Sequence, residues 1–271
     1  ALHRVGRQQD RRRPADPAPA SDELAIGGEY EVFPDARVGL QYTKRYMHSI
    51  IEDMSNDEGQ SLFLGNPGVG IASAFPRASR DYDAGTLYFN KIFTNGWLAQ
   101  VSYTLSYLRG NWAGLFRPET GQLDPNINSD FDLVSLLTNR EGPLPGDRRH
   151  ELKVYAAKDF AVTRWLDIVA SLSFLTHSGE PMNYFGAHPN YGADEAFVLP
   201  RGSGERLPWV HRFDSHIGAT FKLAKTSELT IGADIANLFN FQAVTAVDNT
   251  YTRAEVRPIV NGTPADLPSR D

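Results

Sequence analysis

The chain has 271 residues, a net charge of −6 from 27 Lys+Arg against 33 Asp+Glu, and no cysteine. The missing thiols exclude disulfide scaffolds, Cys-ligated zinc and iron–sulfur clusters. The acidic balance argues against nucleic acid as a partner, and no apolar run approaches the roughly 18 residues of a membrane-spanning helix. Residues 1–21 place five Arg among the first thirteen positions and then alternate Pro with Ala. That is linker chemistry, and a disordered lead-in is expected there.

From Leu24 onward the sequence alternates with period two, the mark of strands with two unlike faces. Leu24, Ile26, Tyr30 and Val32 alternate with Glu23, Glu29 and Glu31. After a Phe33-Pro34-Asp35 turn, Val38, Leu40, Tyr42 and Tyr46 alternate with Arg37, Gln41, Thr43 and Arg45. The second pair carries Leu87 and Phe89, with Lys91 as an exception. Then come the hairpin signal Thr94-Asn95-Gly96 and the run Trp97, Ala99, Val101, Tyr103, Leu105, Tyr107. The third sets Leu152, Val154, Ala156 and Phe160 against Glu151, Lys153 and Asp159, followed by Leu166, Ile168, Ala170, Leu172 and Phe174. The fourth sets Ile217, Ala219 and Phe221 against Arg212, Asp214, His216 and Lys222. It ends with Leu229, Ile231, Ala233, Ile235 and Phe239 against Thr230, Asp234 and Asn240.

These make eight strands in four hairpins, each strand roughly 10 to 15 residues long. Soluble strands average about 5–6 residues, whereas a tilted membrane-spanning strand needs about 9–11. Short turns near 34, 95, 162 and 226 alternate with long connections at 48–80, 110–147 and 178–207. This is the topology of an outer-membrane barrel, with short periplasmic turns and long external loops. On the apolar face, aromatic residues collect at both strand ends, as interfacial girdles require. The expected fold is therefore all-β: a fragment of an antiparallel up-and-down transmembrane β-barrel. Two alternatives share the alternation. One is a small eight-stranded passive or structural barrel that closes by itself, and the other is a secreted β-sheet adhesin-like domain.

The loop wording adds a resemblance. The stretches RDYDAGTLYFNKIFTNGWLAQVSYTLSYLRGNWAGLFRPETGQLDPNINSDFDL, LTNREGPLPGDRRHELKVYAAKDF, SGEPMNYFGAHPNYGADEAFVLPRG, LPWVHRFDSHIGATFKL and ADIANLFNFQAVT resemble the barrel of TonB-dependent outer-membrane receptors. The Oar-like group, which carries an N-terminal carboxypeptidase-regulatory-like domain, is the nearest in wording. The resemblance implies a receptor with a barrel of about 22 strands filled by a plug. It implies import of a ligand, a small molecule or peptide of unknown identity, with energy delivered through TonB. It also implies residence in the outer membrane of a Gram-negative bacterium. Residues 22–271 then read as a segment from the C-terminal half of that barrel, without the plug. The partners implied are outer-membrane lipid, the plug domain of the same receptor and, through it, TonB.

The two faces give the candidate site residues. Glu29, Glu31, Arg37, Arg45, Lys153, Asp159, Arg212, Asp214, His216 and Asp234 are expected to face the lumen. Leu87, Phe89, Trp97, Val101, Tyr103, Leu105, Tyr107, Ile168, Phe221, Ile231 and Ile235 are expected to face lipid. Asp124, Asn126, Asn128, Asp130 and Asp132 place oxygen ligands at every second position, as a calcium loop does. The sixth and twelfth positions are Ser129 and Ser135 rather than Gly and Glu, so a hydrogen-bonded Asx-rich loop is preferred. His177, Glu180 and His188 lack zinc-motif spacing. No Ser/His/Asp or paired-carboxylate arrangement stands at catalytic spacing, so neither enzyme activity nor a cofactor is expected.

Overall fold

The computed structural model describes residues 17–121 and 128–268. Strands β1 (Ala20–Phe33) and β2 (Ala36–His48) form the first hairpin. Two short strands, β3 (Glu52–Met54) and β4 (Phe63–Gly65), pair within the loop that follows. The second hairpin is β5 (Arg80–Thr94) and β6 (Trp97–Gly110), followed by the two-residue β7 (Gly142–Pro143) beside the end of β6. The third is β8 (His150–Ala161) and β9 (Leu166–His177). After the loop strands β10 (Phe185–His188) and β11 (Gly192–Phe197) comes the fourth, β12 (Val210–Ala224) and β13 (Ser227–Ile235). A last loop strand, β14 (Thr250–Glu255), lies parallel to β10.

The eight long strands line up in the order β1-β2-β5-β6-β8-β9-β12-β13, every neighbour antiparallel. Turn chemistry sets the hairpins. Asp35 (φ 67°), Asn95 (φ 54°) and Gly96 (φ 71°) take left-handed backbone, which a tight turn needs to match the twist of its strands. The last strand is shorter than its alternation predicts. It stops at Ile235, and Phe239 lies in a turn. Asn237 ends it: from left-handed backbone (φ 50°), its side chain accepts from the Phe241 amide and donates to the Phe241 carbonyl.

Among the described residues β1 pairs only with β2 and β13 only with β12, so the sheet is open. The self-closed eight-stranded barrel is thereby corrected, since closure would pair β1 with β13. Among the described residues no second sheet covers the apolar face either: Ile26, Leu40 and Ile231 stay 60–62% exposed. The buried core sits in the loops instead. Apart from Ala36 and Ala84, every buried apolar residue described lies outside the eight wall strands. Ile50, Met54, Ala72, Phe75, Trp112 and Phe131 form one such cluster. The long connections thus pack on one another as a cap at one end of a wall whose broad faces are both open. No described helix is long and apolar enough to cross a membrane.

Candidate functional site

Residues opposed across an antiparallel sheet point to the same side, so the register assigns each side chain to a face. One row runs Glu29, Gly39, Tyr88, Ser102, Lys153, Leu175, Arg212. The next runs Glu31, Arg37, Asn90, Gln100, Tyr155, Ser173, Asp214. Arg45, Asp159, His216 and Asp234 share this side. All ten charged candidates therefore occupy one face. The opposite face carries rows such as Tyr30, Val38, Phe89, Val101, Val154, Phe174, Phe213. Leu87, Trp97, Tyr103, Leu105, Tyr107, Ile168, Phe221, Ile231 and Ile235 stand there too.

The charged face is laced with ion pairs, most running between strands and Arg212–Asp214 within one. Arg37 donates to Glu29 at 2.7 Å, Arg45 to Glu23 at 2.7 Å, and His216 Nδ1 lies 2.7 Å from Asp234. Arg212 pairs with Asp214 at 2.8 Å and Lys222 with Asp167 at 2.5 Å. Exposed pairs of this kind contribute only about 0.2–1 kcal/mol each. Their effect is a surface of interleaved sign that suits an equally polar neighbour. A hollow lined by Tyr155, Ser173, Arg212, Asp214, His216 and Asp234 opens on this side with about 580 Å³ of space.

The apolar face ends in rings. Toward the cap, Tyr103 stacks on His150 (6.2 Å), His150 on Trp209 (5.8 Å) and Trp209 on His211 (6.4 Å). Phe241 then leads through Phe239 to Phe213. At the short-turn end Trp165 stacks on Phe221 at 6.1 Å. Lys91, the exception in the alternation, is buried on the apolar face. Its ammonium donates to the Ile92 carbonyl at 2.8 Å and lies 5.0 Å from the Trp97 ring centre, so the turn carbonyls satisfy the charge.

The cap is held by a charged cluster that no periodicity announced. Asp130 is fully buried. Its Oδ1 accepts from Arg140 at 2.5 Å and Arg201 at 2.6 Å, and its Oδ2 from the Ala113 amide at 2.8 Å. Arg117 lies 3.8 Å away and pairs with Glu195 at 2.5 Å. Burial alone would raise the Asp130 pKa, but the guanidiniums of Arg201, Arg140 and Arg117 outweigh it and hold the carboxyl far below its ordinary value. The guanidiniums also lie over rings, Arg140 and Arg201 over Phe197 and Arg117 over Phe185. Gly142 lets the backbone of this region close up, because a Cβ there would meet the Arg201 carbonyl oxygen at 2.2 Å.

The Asx-rich run divides among these tasks. Asp124 and Asn126 lie outside the described residues. Asn128 donates to the Gly114 carbonyl and accepts from the Asp130 amide, an Asx turn. Asp132 accepts from the Tyr191 hydroxyl. Guanidiniums occupy Asp130, so it is not free to serve as a calcium ligand. Among the described residues no group of three or more His, Asp or Glu could hold a metal. His177, Glu180 and His188 are separately engaged by the Ser178 carbonyl, Arg148 and the Asn190 amide.

Two carboxyls at the junction of the loops titrate near neutrality. Burial raises Glu52 to about 8 against its bond from Trp112, with Asp130, Asp53 and Asp132 adding repulsion. Burial raises Asp132 to about 7 against its bond from Tyr191, with Asp53 adding repulsion and Arg140 opposing it. A raised acid holds its proton more tightly in the folded cap than in the open chain. The part of cap stability carried by these two acids is therefore complete below about pH 4 and falls as pH rises to 7–8. The part carried by Asp130, whose carboxyl is lowered, is lost on acidification. With both raised acids counted, the loss is expected to be on the order of 6 kcal/mol between pH 5 and 8.5. Hydrogen exchange at residues 50–55 and 130–133, corrected for intrinsic rates, measures it. Glu52→Gln should flatten the profile, and a profile as steep as wild type would refute this account.

Long antiparallel strands, alternate short and long connections, and one charged face backed by one uncovered apolar face define the wall of a β-barrel. The chain is 53% identical over 257 residues to the TonB-dependent transporter Oar of Myxococcus xanthus, a match that covers 94% of this chain. It belongs, as a barrel segment, to the TonB-dependent receptors. It spans about a quarter of that relative, 24% of its length. The closed form of the ferric-catecholate import receptor Fiu from K12 E. coli overlays with a TM-score of 0.49 at 10% identity, over 92% of this chain and 27% of that one. No protein-family model matches the chain.

Proposed function

We propose that this chain forms part of the wall and outer cap of an outer-membrane receptor that binds a ligand and imports it with energy delivered through TonB. The observation that carries the reading is the division of the wall into a face of ten charged candidates and a face of uncovered apolar ones. In this reading the charged face meets the plug of the same receptor and the apolar face meets lipid. The cap lies outside the cell and the short turns in the periplasm. The 53% identity to a transporter over 94% of the chain supports it, and that relative is named as a transporter rather than an enzyme. The open edges of β1 and β13 support a larger barrel, because unpaired backbone in hydrocarbon costs several kcal/mol per group and further strands must cover them.

A photo-crosslinking residue placed at Gln100, on the charged face, tests the plug contact in the complete receptor. Crosslinks from Gln100 should fall on plug peptides, and the same residue at Val101 should give none. Plug crosslinks from Val101 and none from Gln100 would reverse the two faces. None from either would remove the plug from this part of the wall.

A further inference from the structure

The apolar face is not uniformly smooth. Across β6, β8, β9 and β12 it sinks into an open groove of about 890 Å³. Ala99, Ala156, Ala170 and Ser215 form its floor, and Trp97, Phe160 and Phe213 stand at its rim. The groove runs from the row of Phe160 to the row of Phe213, the latter opposite Val154 through Phe174. Along β8 that is six residues, or roughly 20 Å at about 3.3 Å per residue. Barrel strands tilt by about 35–45°, so the groove covers roughly 15 Å along the membrane normal. That is about half a hydrocarbon core of 30 Å, the span of one leaflet.

One end of the groove is charged. Lys158 lines it, on the apolar face beside Trp97 and Ala170, and is exposed. Arg164, in the adjoining short turn, is exposed as well. Neither has an ion pair among the described residues, whereas Lys222, on the opposite face, is matched by Asp167. Two unmatched cations at the foot of an apolar groove one leaflet deep call for an occupant that is anionic at one end and hydrocarbon at the other. We propose that this groove binds one acyl chain of an anionic phospholipid, with its phosphate held between Lys158 and Arg164. The inference rests on the reading that this face meets lipid.

The test uses the complete receptor in nanodiscs of equal phosphatidylglycerol and phosphatidylcholine, re-extracted in mild detergent, with retained lipid counted by native mass spectrometry. A cation near a membrane surface is worth about fivefold in anionic-lipid binding, so phosphatidylglycerol should be retained at least about fivefold over phosphatidylcholine. Lys158→Gln combined with Arg164→Gln, both exposed changes, should bring the ratio close to one. Ala170→Phe, which fills the floor, should lower the count of both lipids. An unchanged ratio in the double variant, or an unchanged count in Ala170→Phe, overturns the proposal. A nitroxide at Val101, outside the groove, separates this failure from that of the underlying reading. Relaxation by oxygen over a water-soluble nickel chelate with no variant effect on lipid sinks the groove alone. Relaxation by the nickel chelate sinks the lipid-facing assignment and the groove with it.

Discussion

Val101→Arg is expected to destabilise the complete receptor by roughly 2–4 kcal/mol, the cost of arginine at the bilayer midplane on a lipid-facing position. Ser102→Arg, one residue along, should cost well under half of that. Val101 lies in a row of Phe89, Val154 and Phe174, and Ser102 in a row with Tyr88 and Lys153. The two substitutions share strand, depth and chemistry, so the difference isolates the face. A packed soluble sheet would also reject arginine at Val101, and Leu105→Trp distinguishes the cases. Hydrocarbon accepts a larger ring with little change, whereas overpacking a protein core costs about 1–3 kcal/mol. Unfolding free energies of the three variants in reconstituted membranes decide the matter. If Leu105→Trp proves as damaging as Val101→Arg, that face is packed against protein.

Asp130→Asn is the second large effect, and it acts on the cap rather than the wall. The substitution keeps the shape and removes the charge that faces Arg140 and Arg201 at 2.5 and 2.6 Å. Glu195 and Glu119 are left as the acids near three buried guanidiniums. Breaking a buried ion network on one side costs about 3–5 kcal/mol, because the remaining charges stay desolvated and unmatched. Asp83→Asn removes half of the exposed Lys44 pair at 3.1 Å and should change stability by at most about 1 kcal/mol. Limited proteolysis of the loops at 110–147 and 178–207 reads the local effect. Cleavage of Asp130→Asn at the wild-type rate would show that the cluster does not hold the cap together.

The wall was legible in the sequence because a sheet with unlike faces writes its geometry as a period of two, and eight strands repeated that signal. Asn95-Gly96 and Pro34-Asp35 marked their turns because left-handed backbone restricts the residues that fit. Phe239 continued the alternation past the point where Asn237 turns the chain, since alternation says nothing of a side chain that caps its own backbone. Lys91 broke the pattern for a reason visible only once the Ile92 and Thr94 carbonyls are seen around it. The cap was not legible. Arg117, Asp130 and Arg140 of one long connection meet Arg201 of another through three-dimensional closure, and no spacing relates them. The one local signal there, the Asx-rich run, was real as a turn former at Asn128 but ambiguous as to what its carboxylates bind.

The placement of the core in the loops has a consequence for how such a wall is assembled. Ile50, Phe75, Trp112 and Phe131 come from connections separated by β5 and β6, so they meet only after β2, β5 and β6 have paired. A slip of one residue between any two of these strands would turn a charged row toward the apolar side. It would also displace one loop relative to the next by about 3.3 Å, enough to part Trp112 from Glu52. The cap therefore checks the alignment of strands that have no interior of their own to check it. A misthreaded barrel would reach the surface with its outer loops unsealed, where a protease can remove it.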